Sequence, residues 1–152
     1  FAKKARNFAE ALRAPVAFIE KRRTGTETDS LTVIGDVRDC NVVIVDDEVD
    51  VGGTMLGAAQ ILRQAGAKDI YASFVHPTFS HGVVENLANA GFAQLVCTNT
   101  EPIPPDTRAK LPNLRVLHLG EWLGNIIGAV HRGQSVADAL ARYKPDYGRI
   151  CS

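Results

Sequence analysis

Residues 41–62 read NVVIVDDEVDVGGTMLGAAQIL. Val42, Val43, Ile44 and Val45 form an unbroken β-branched run, which predicts a strand buried on both faces of a parallel sheet. The run gives way to Asp46-Asp47, so two carboxylates are expected at the carboxyl edge of that strand. After residues 48–51 come Gly52 and Gly53, which lack a Cβ, then Thr54 and an Ala/Leu/Ile-rich segment with helical spacing. The local structure predicted is strand, acidic and then glycine-rich loop, helix.

A helix N-terminus offers unpaired backbone N–H groups and a partial positive charge, and glycines let the backbone close around an anion. A phosphate suits that end of the loop. Asp46 and Asp47 would repel a phosphate but suit two sugar hydroxyls or a divalent cation. The loop as a whole is therefore suited to a phosphorylated sugar. A plainer reading makes it a turn whose Asp or Thr caps the helix, but capping needs one such residue, and the loop carries Asp46, Asp47, Asp50, Gly52, Gly53 and Thr54.

Residues 42–54 resemble the phosphoribosyl pyrophosphate loop of type I phosphoribosyltransferases and ribose-phosphate pyrophosphokinases. The pattern there is an apolar strand, Asp-Asp, two variable residues, Asp-Thr, Gly or Ala, Gly, Thr. Val51 departs from it, standing where Thr is usual.

The chain has 152 residues, enough for one domain with a sizeable core. Seventeen Lys and Arg balance seventeen Asp and Glu, so no basic surface for nucleic acid or membrane is expected. No apolar run approaches a bilayer span. Cys40, Cys97 and Cys151 are far apart and lack metal-ligand spacing, which predicts reduced thiols and a cytoplasmic setting. Cys97 lies in an apolar run and is expected in the core.

Residues 1–12 (FAKKARNFAEAL) place Ala5, Phe8, Ala9 and Leu12 at helical spacing. Alternating strands and helices lead one to expect a strand before this helix, so the chain reads as beginning inside a domain. Residues 15–19 (PVAFI) predict a strand, with Glu20-Lys21-Arg22-Arg23 directly after it at the root of a small, polar loop over 24–30, and a returning strand over 31–37. Such a loop presents cations that can fold over a bound anion. The resemblance to the pyrophosphokinases extends here, and by its match Lys21 and Arg23 are the candidate catalytic residues.

Gly66 is expected to stop the helix after Thr54, and residues 70–75 (IYASFV) predict another buried strand. His76, Ser80 and His81 come next, at its carboxyl edge, where open α/β sheets bind ligands. The related enzymes carry Thr-His-Gly, two apolar residues and Ser-Gly here; Pro77 and His81 stand where Gly is usual. A helix is predicted over 83–90 and a strand over 95–97, which runs into Thr98-Asn99-Thr100, a turn that matches the pyrophosphokinases and whose side chains should bond the chain reversal. Residues 102–112 contain four prolines and predict irregular structure. A strand over 114–119 that includes His118, a helix over 120–131 with a broad apolar face, and a short capped helix over 135–140 complete the order.

The alternation predicts a single α/β domain over 1–152, a doubly wound, mainly parallel sheet with helices on both faces. The resemblance to ribose-phosphate pyrophosphokinase covers nearly the whole chain, as a C-terminal half without its N-terminal half. It implies transfer of the diphosphoryl group of ATP to the 1-hydroxyl of ribose 5-phosphate with Mg²⁺, in a homo-oligomer. By that resemblance Asp46, Asp47, Asp50, Val51, Gly52, Gly53 and Thr54 hold ribose 5-phosphate, and Asp46 and Asp47 meet the metal directly or through substrate hydroxyls. Most of the ATP site is implied to lie outside the chain. A type I phosphoribosyltransferase and a non-catalytic regulatory homologue are the other classes, the second favoured by Val51.

Overall fold

The computed structural model describes residues 2–23 and 29–143, with side chains for 5–20 and 32–143. The order is α1 (Ala2–Leu12), β1 (Phe18–Arg23), β2 (Asp29–Ile34), β3 (Val42–Glu48), α2 (Gly53–Gln64), β4 (Ile70–His76), α3 (Val83–Asn89), β5 (Gln94–Thr98), α4 (Pro105–Lys110), β6 (Leu114–Leu117), α5 (Gly120–His131) and α6 (Val136–Ala141). Strands β3, β4, β5 and β6 pair side by side in chain order, all parallel, each joined to the next by a helix. The fold is α/β, as the alternation predicts. Parallel neighbours need long crossovers, which α2, α3 and α4 supply.

Met55 and Leu62 of α2, Ile70 and Phe74 of β4, Val83 and Leu87 of α3, Leu95 and Cys97 of β5, and Leu111 after α4 form the core. Each such side chain contributes about 1.5–3 kcal/mol on leaving water. Burial pushes the Cys97 thiol up to about 11, which fits the apolar position its sequence context predicts.

The structure corrects several sequence expectations. β3 continues through Asp46 and Asp47 to Glu48, because Asp46 still pairs beside Phe74 and Glu48 beside His76. Among the described residues it is also an edge strand of its sheet, and Val43 is 45% exposed rather than buried on both faces. Beyond that edge a groove of about 510 Å³ is walled by Phe8, Leu12, Phe18 and the outer side of β3. β1 extends through Glu20, Lys21, Arg22 and Arg23, since antiparallel pairing with β2 keeps these residues in a ladder, Lys21 opposite Leu31 and Arg23 opposite Asp29. β2 ends before Gly35, which has a φ of 122° and lies so near Ala17 that a Cβ would stand 3.0 Å from its methyl group.

The proline-rich segment contains α4, with proline at its first turn, where the missing N–H costs nothing and the fixed φ is already helical. His118 lies past the end of β6 and is exposed. In α5 the periodic apolar residues include Ile127 and Val130, 67% and 60% exposed, so that face is not fully covered by the described residues. The tail from residue 144 lies outside the described residues.

Candidate functional site

At the carboxyl end of β3, alternation along the strand leaves Asp46 half-buried and Asp47 exposed. The Asp47 N–H donates to Asp46 Oδ1 at 2.8 Å. Burial raises the proton affinity of the Asp46 carboxyl above its ordinary value; the Asp47 N–H opposes that rise, and the Asp47 carboxylate beside it adds to it. Both effects arise from placing two acids in succession where a strand leaves the core.

Val49 then turns inward, 2% exposed, and anchors the loop, while Val51 projects outward at 68% exposure. Gly52 adopts a left-handed φ of 74° immediately before α2. A Cβ on Gly52 would stand 2.6 Å from Val83 Cγ2, so this glycine lets the loop lie against the start of α3. At Gly53 a Cβ would meet nothing within 4 Å.

No side-chain hydrogen bond caps α2, and its first turn holds no acidic residue. The loop therefore does not serve as a side-chain cap for the helix. The N–H groups at the start of the helix lack intrahelical acceptors and carry the positive end of its dipole. Residues 46–55 wall a cleft of about 260 Å³, so the Asp46 and Asp47 side of β3 and the uncapped start of α2 border the same space. Asp46, Asp47, Asp50, Val51, Gly52, Gly53 and Thr54 are thus brought together.

Lys21 and Arg23 stand on β1, and their side chains lie outside the described residues, as does the loop over 24–28. His76, Ser80 and His81 do not line the cleft. His76 Nδ1 instead shares a hydrogen bond of 3.0 Å with Thr100 Oγ1. The Thr98 hydroxyl donates to the Val75 carbonyl at 2.8 Å, and Asn99 Oδ1 accepts from the Leu119 N–H at 2.8 Å, so the Thr-Asn-Thr turn does bond the chain reversal.

Sequence reasoning missed how the loop after β4 grips the loop after β3. The Val49 N–H donates to the His76 carbonyl (3.0 Å), the Phe79 N–H to the Val49 carbonyl (3.0 Å) and the Ser80 N–H to the Asp50 carbonyl (3.1 Å). The Thr78 hydroxyl donates to Glu48 Oε1 at 2.9 Å and the Ser80 hydroxyl to Asp50 Oδ1. Parallel neighbours put their carboxyl-end loops side by side, and that adjacency was the signal available.

Among the described residues, no group of three or more His, Cys, Asp or Glu side chains converges to hold a metal ion. The Asp46 and Asp47 pair fits Mg²⁺ only in the way this ion is commonly held, by one or two carboxylates with water and substrate oxygens completing the shell. No helix of the described residues is long and apolar enough to cross a membrane.

Residues 20–141 match the family described as phosphoribosyl synthetase-associated domain. The chain is 40% identical over 136 residues to the ribose-phosphate pyrophosphokinase of Gloeobacter violaceus, covering 88% of this chain and 40% of that one. It is 38% identical over 135 residues to ribose-phosphate pyrophosphokinase 1, chloroplastic, of Oryza sativa subsp. japonica, covering 88% and 34%. Its fold matches phosphoribosylpyrophosphate synthetase from Mycobacterium smegmatis with a TM-score of 0.79 at 37% identity, over 86% of this chain and 42% of that one. The chain spans between about a third and about two fifths of the length of these relatives.

Proposed function

The chain belongs to the phosphoribosyl synthetase-associated domain family, and on that footing we propose that it forms the ribose 5-phosphate side of a ribose-phosphate pyrophosphokinase. The observation that supports this most is the cleft over residues 46–55, which polyol-suited carboxylates and an uncapped, glycine-containing helix start line together. The N–H groups of Gly52, Gly53 and Thr54, with the Thr54 hydroxyl, hold the 5-phosphate. Asp46 and Asp47 accept hydrogen bonds from the ribose 2- and 3-hydroxyls. Asp46 and Asp47, directly or through substrate hydroxyls, would hold Mg²⁺ together with water, and the ion would supply positive charge to offset that of the phosphates.

In the reaction the 1-hydroxyl oxygen attacks the β-phosphorus of ATP, the bond from that phosphorus to the α,β-bridging oxygen breaks, and AMP leaves. Little covalent work falls to the protein; it aligns the two substrates and stabilises charge. Lys21 and Arg23 supply cations for the transferred diphosphoryl group. The remainder of the enzyme, including a neighbouring subunit of a homo-oligomer, holds most of the ATP.

Titration calorimetry with ribose 5-phosphate and with free ribose tests the assignment. Ribose 5-phosphate is expected to bind much more tightly, because hydrogen bonds to a charged oxygen are roughly twice as strong as neutral ones. Equal affinities overturn it.

A further inference from the structure

Four carboxylates lie on or next to the carboxyl end of β3: Asp46, Asp47, Glu48 and Asp50. A dianionic phosphate at the start of α2 sits only a few residues from all of them, and each would repel it. Asp46 and Asp47 lie on β3, farther along the chain from the helix start at Gly53 than Asp50 does. Glu48 and Asp50, on either side of the buried Val49, are each held by a hydroxyl of the loop after β4, Glu48 by Thr78 and Asp50 by Ser80. The three backbone hydrogen bonds between the same two loops fix the hydroxyls in place. Phe79, between them, has a φ of 44° and sets its ring edge-on to Phe74 with centroids 5.9 Å apart.

We propose that Ser80 is a positioning residue for the phosphate end of the cleft, its hydroxyl anchoring the Asp50 carboxylate away from the anion so that the ligand meets the α2 amides instead. Thr78 does the same for Glu48, farther from the helix start. This rests on the ribose 5-phosphate reading and goes beyond it, since it gives Asp50 a role in shaping the loop rather than in touching the ligand. The sequence separation is 30 residues in both pairs, so the coupling depends on the parallel pairing of β3 with β4.

The test uses calorimetry on the parent chain and on Ser80→Ala, Ser80→Thr, Asp50→Asn and the double variant Ser80→Ala/Asp50→Asn, each with ribose 5-phosphate and with ribose. Ser80→Ala is expected to weaken ribose 5-phosphate by about tenfold, the effect of a partly screened like charge within a few ångströms, and to leave ribose within about twofold. Ser80→Thr keeps the hydroxyl and the parent affinity. Asp50→Asn alone binds ribose 5-phosphate at least as tightly as the parent, and the double variant matches Asp50→Asn, because removing the charge removes the need for its anchor. Unchanged ribose 5-phosphate binding in Ser80→Ala overturns the proposal. So does an equal loss for both sugars, which is what a merely structural hydroxyl produces. Should Ser80→Ala fail to fold, weaker ribose 5-phosphate binding by Asp50→Asn alone overturns it, since the carboxylate would then contact the ligand. A parent chain that does not distinguish the two sugars overturns the phosphate site itself, and this assignment with it.

Discussion

Alanine substituted singly at Gly52 and at Gly53 should give opposite results at adjacent positions. At Gly52 the backbone has a φ of 74° and the new methyl group would lie 2.6 Å from Val83 Cγ2. An L-residue in the left-handed region costs about 1–2 kcal/mol. Forcing a methyl against Val83, itself only 1% exposed, adds roughly 1–3 kcal/mol of overpacking. Relaxation of the loop relieves part of the sum, so we expect Gly52→Ala to lose about 2–4 kcal/mol, which lowers the Tm of a domain this size by roughly 5–15 °C. At Gly53 the φ is not left-handed and the new methyl group meets nothing within 4 Å. Gly53→Ala should therefore hold or slightly raise Tm, because alanine lowers the entropy of the unfolded chain by about 0.4–1 kcal/mol. On the proposed reading the phosphate approaches the α2 amides beside that methyl group, so Gly53→Ala should weaken ribose 5-phosphate by about tenfold or more, an effect of one badly placed contact worth about 1.4 kcal/mol. Thermal unfolding by circular dichroism and calorimetry read the two effects separately. Equal destabilisation by the two variants would refute the packing argument at Gly52; parent-like binding by Gly53→Ala would refute the phosphate placement.

Val51 is 68% exposed and stands in the wall of the cleft; Val51→Thr adds a hydroxyl, and a hydrogen bond to a charged oxygen of about 1.5–3 kcal/mol should tighten ribose 5-phosphate about tenfold or more, whereas unchanged affinity would show that this side chain points away from the phosphate. In the enzyme completed by the remainder of its chain, Lys21→Ala should lower kcat by about two orders of magnitude or more and leave the KM for ribose 5-phosphate nearly unchanged, the pattern of a contact made in the transition state; a defect confined to KM would place Lys21 in ground-state binding. Cys40 is exposed and Cys97 buried, so in a Cys151→Ser background a thiol reagent should titrate Cys40 in the folded chain and both thiols only after unfolding. The Cys97 thiol is raised from 9.0 to about 11 by burial; its contribution to stability is complete below pH 9.0 and is lost as pH rises through about 11, because the unfolded chain ionises first. Denaturant midpoints across that window should fall more steeply for the parent than for Cys97→Ala.

The order of elements was legible because it is written in local pattern. The β-branched run of β3, the apolar stretch of β4 and the Gly-Gly pair at the start of α2 specify strand, turn and helix within a few residues of themselves. The errors share one physical source, which is that pairing partners lie far away in sequence. The basic residues of β1 become strand because β2 pairs with them, and β3 is an edge strand among the described residues through a sheet order that no local window contains. Position within an element misled the reading of α4, where proline breaks a helix interior but suits a first turn. The residues of the cleft were readable because they are contiguous, from Asp46 to Thr54. The hydroxyls of Thr78 and Ser80 were not, since a serine in a polar loop has no pattern that names its acceptor.

The outer edge of β3 also bears on how this chain behaves in concentrated solution. Among the described residues, Val42, Val43, Ile44 and Val45 present the open side of the sheet on apolar, β-branched residues, which is a template for strand addition from another copy. Asp46-Asp47-Glu48 comes directly after them, and two such strands aligned in the same direction and register would bring these acids into like-charged ladders. The acidic end of the strand would therefore oppose self-association as a gatekeeper, independently of the sugar binding proposed for it. Asp46→Asn and Asp47→Asn, the obvious substitutions for probing sugar binding, remove that repulsion too, and so does acidification below the range in which the carboxyls ionise.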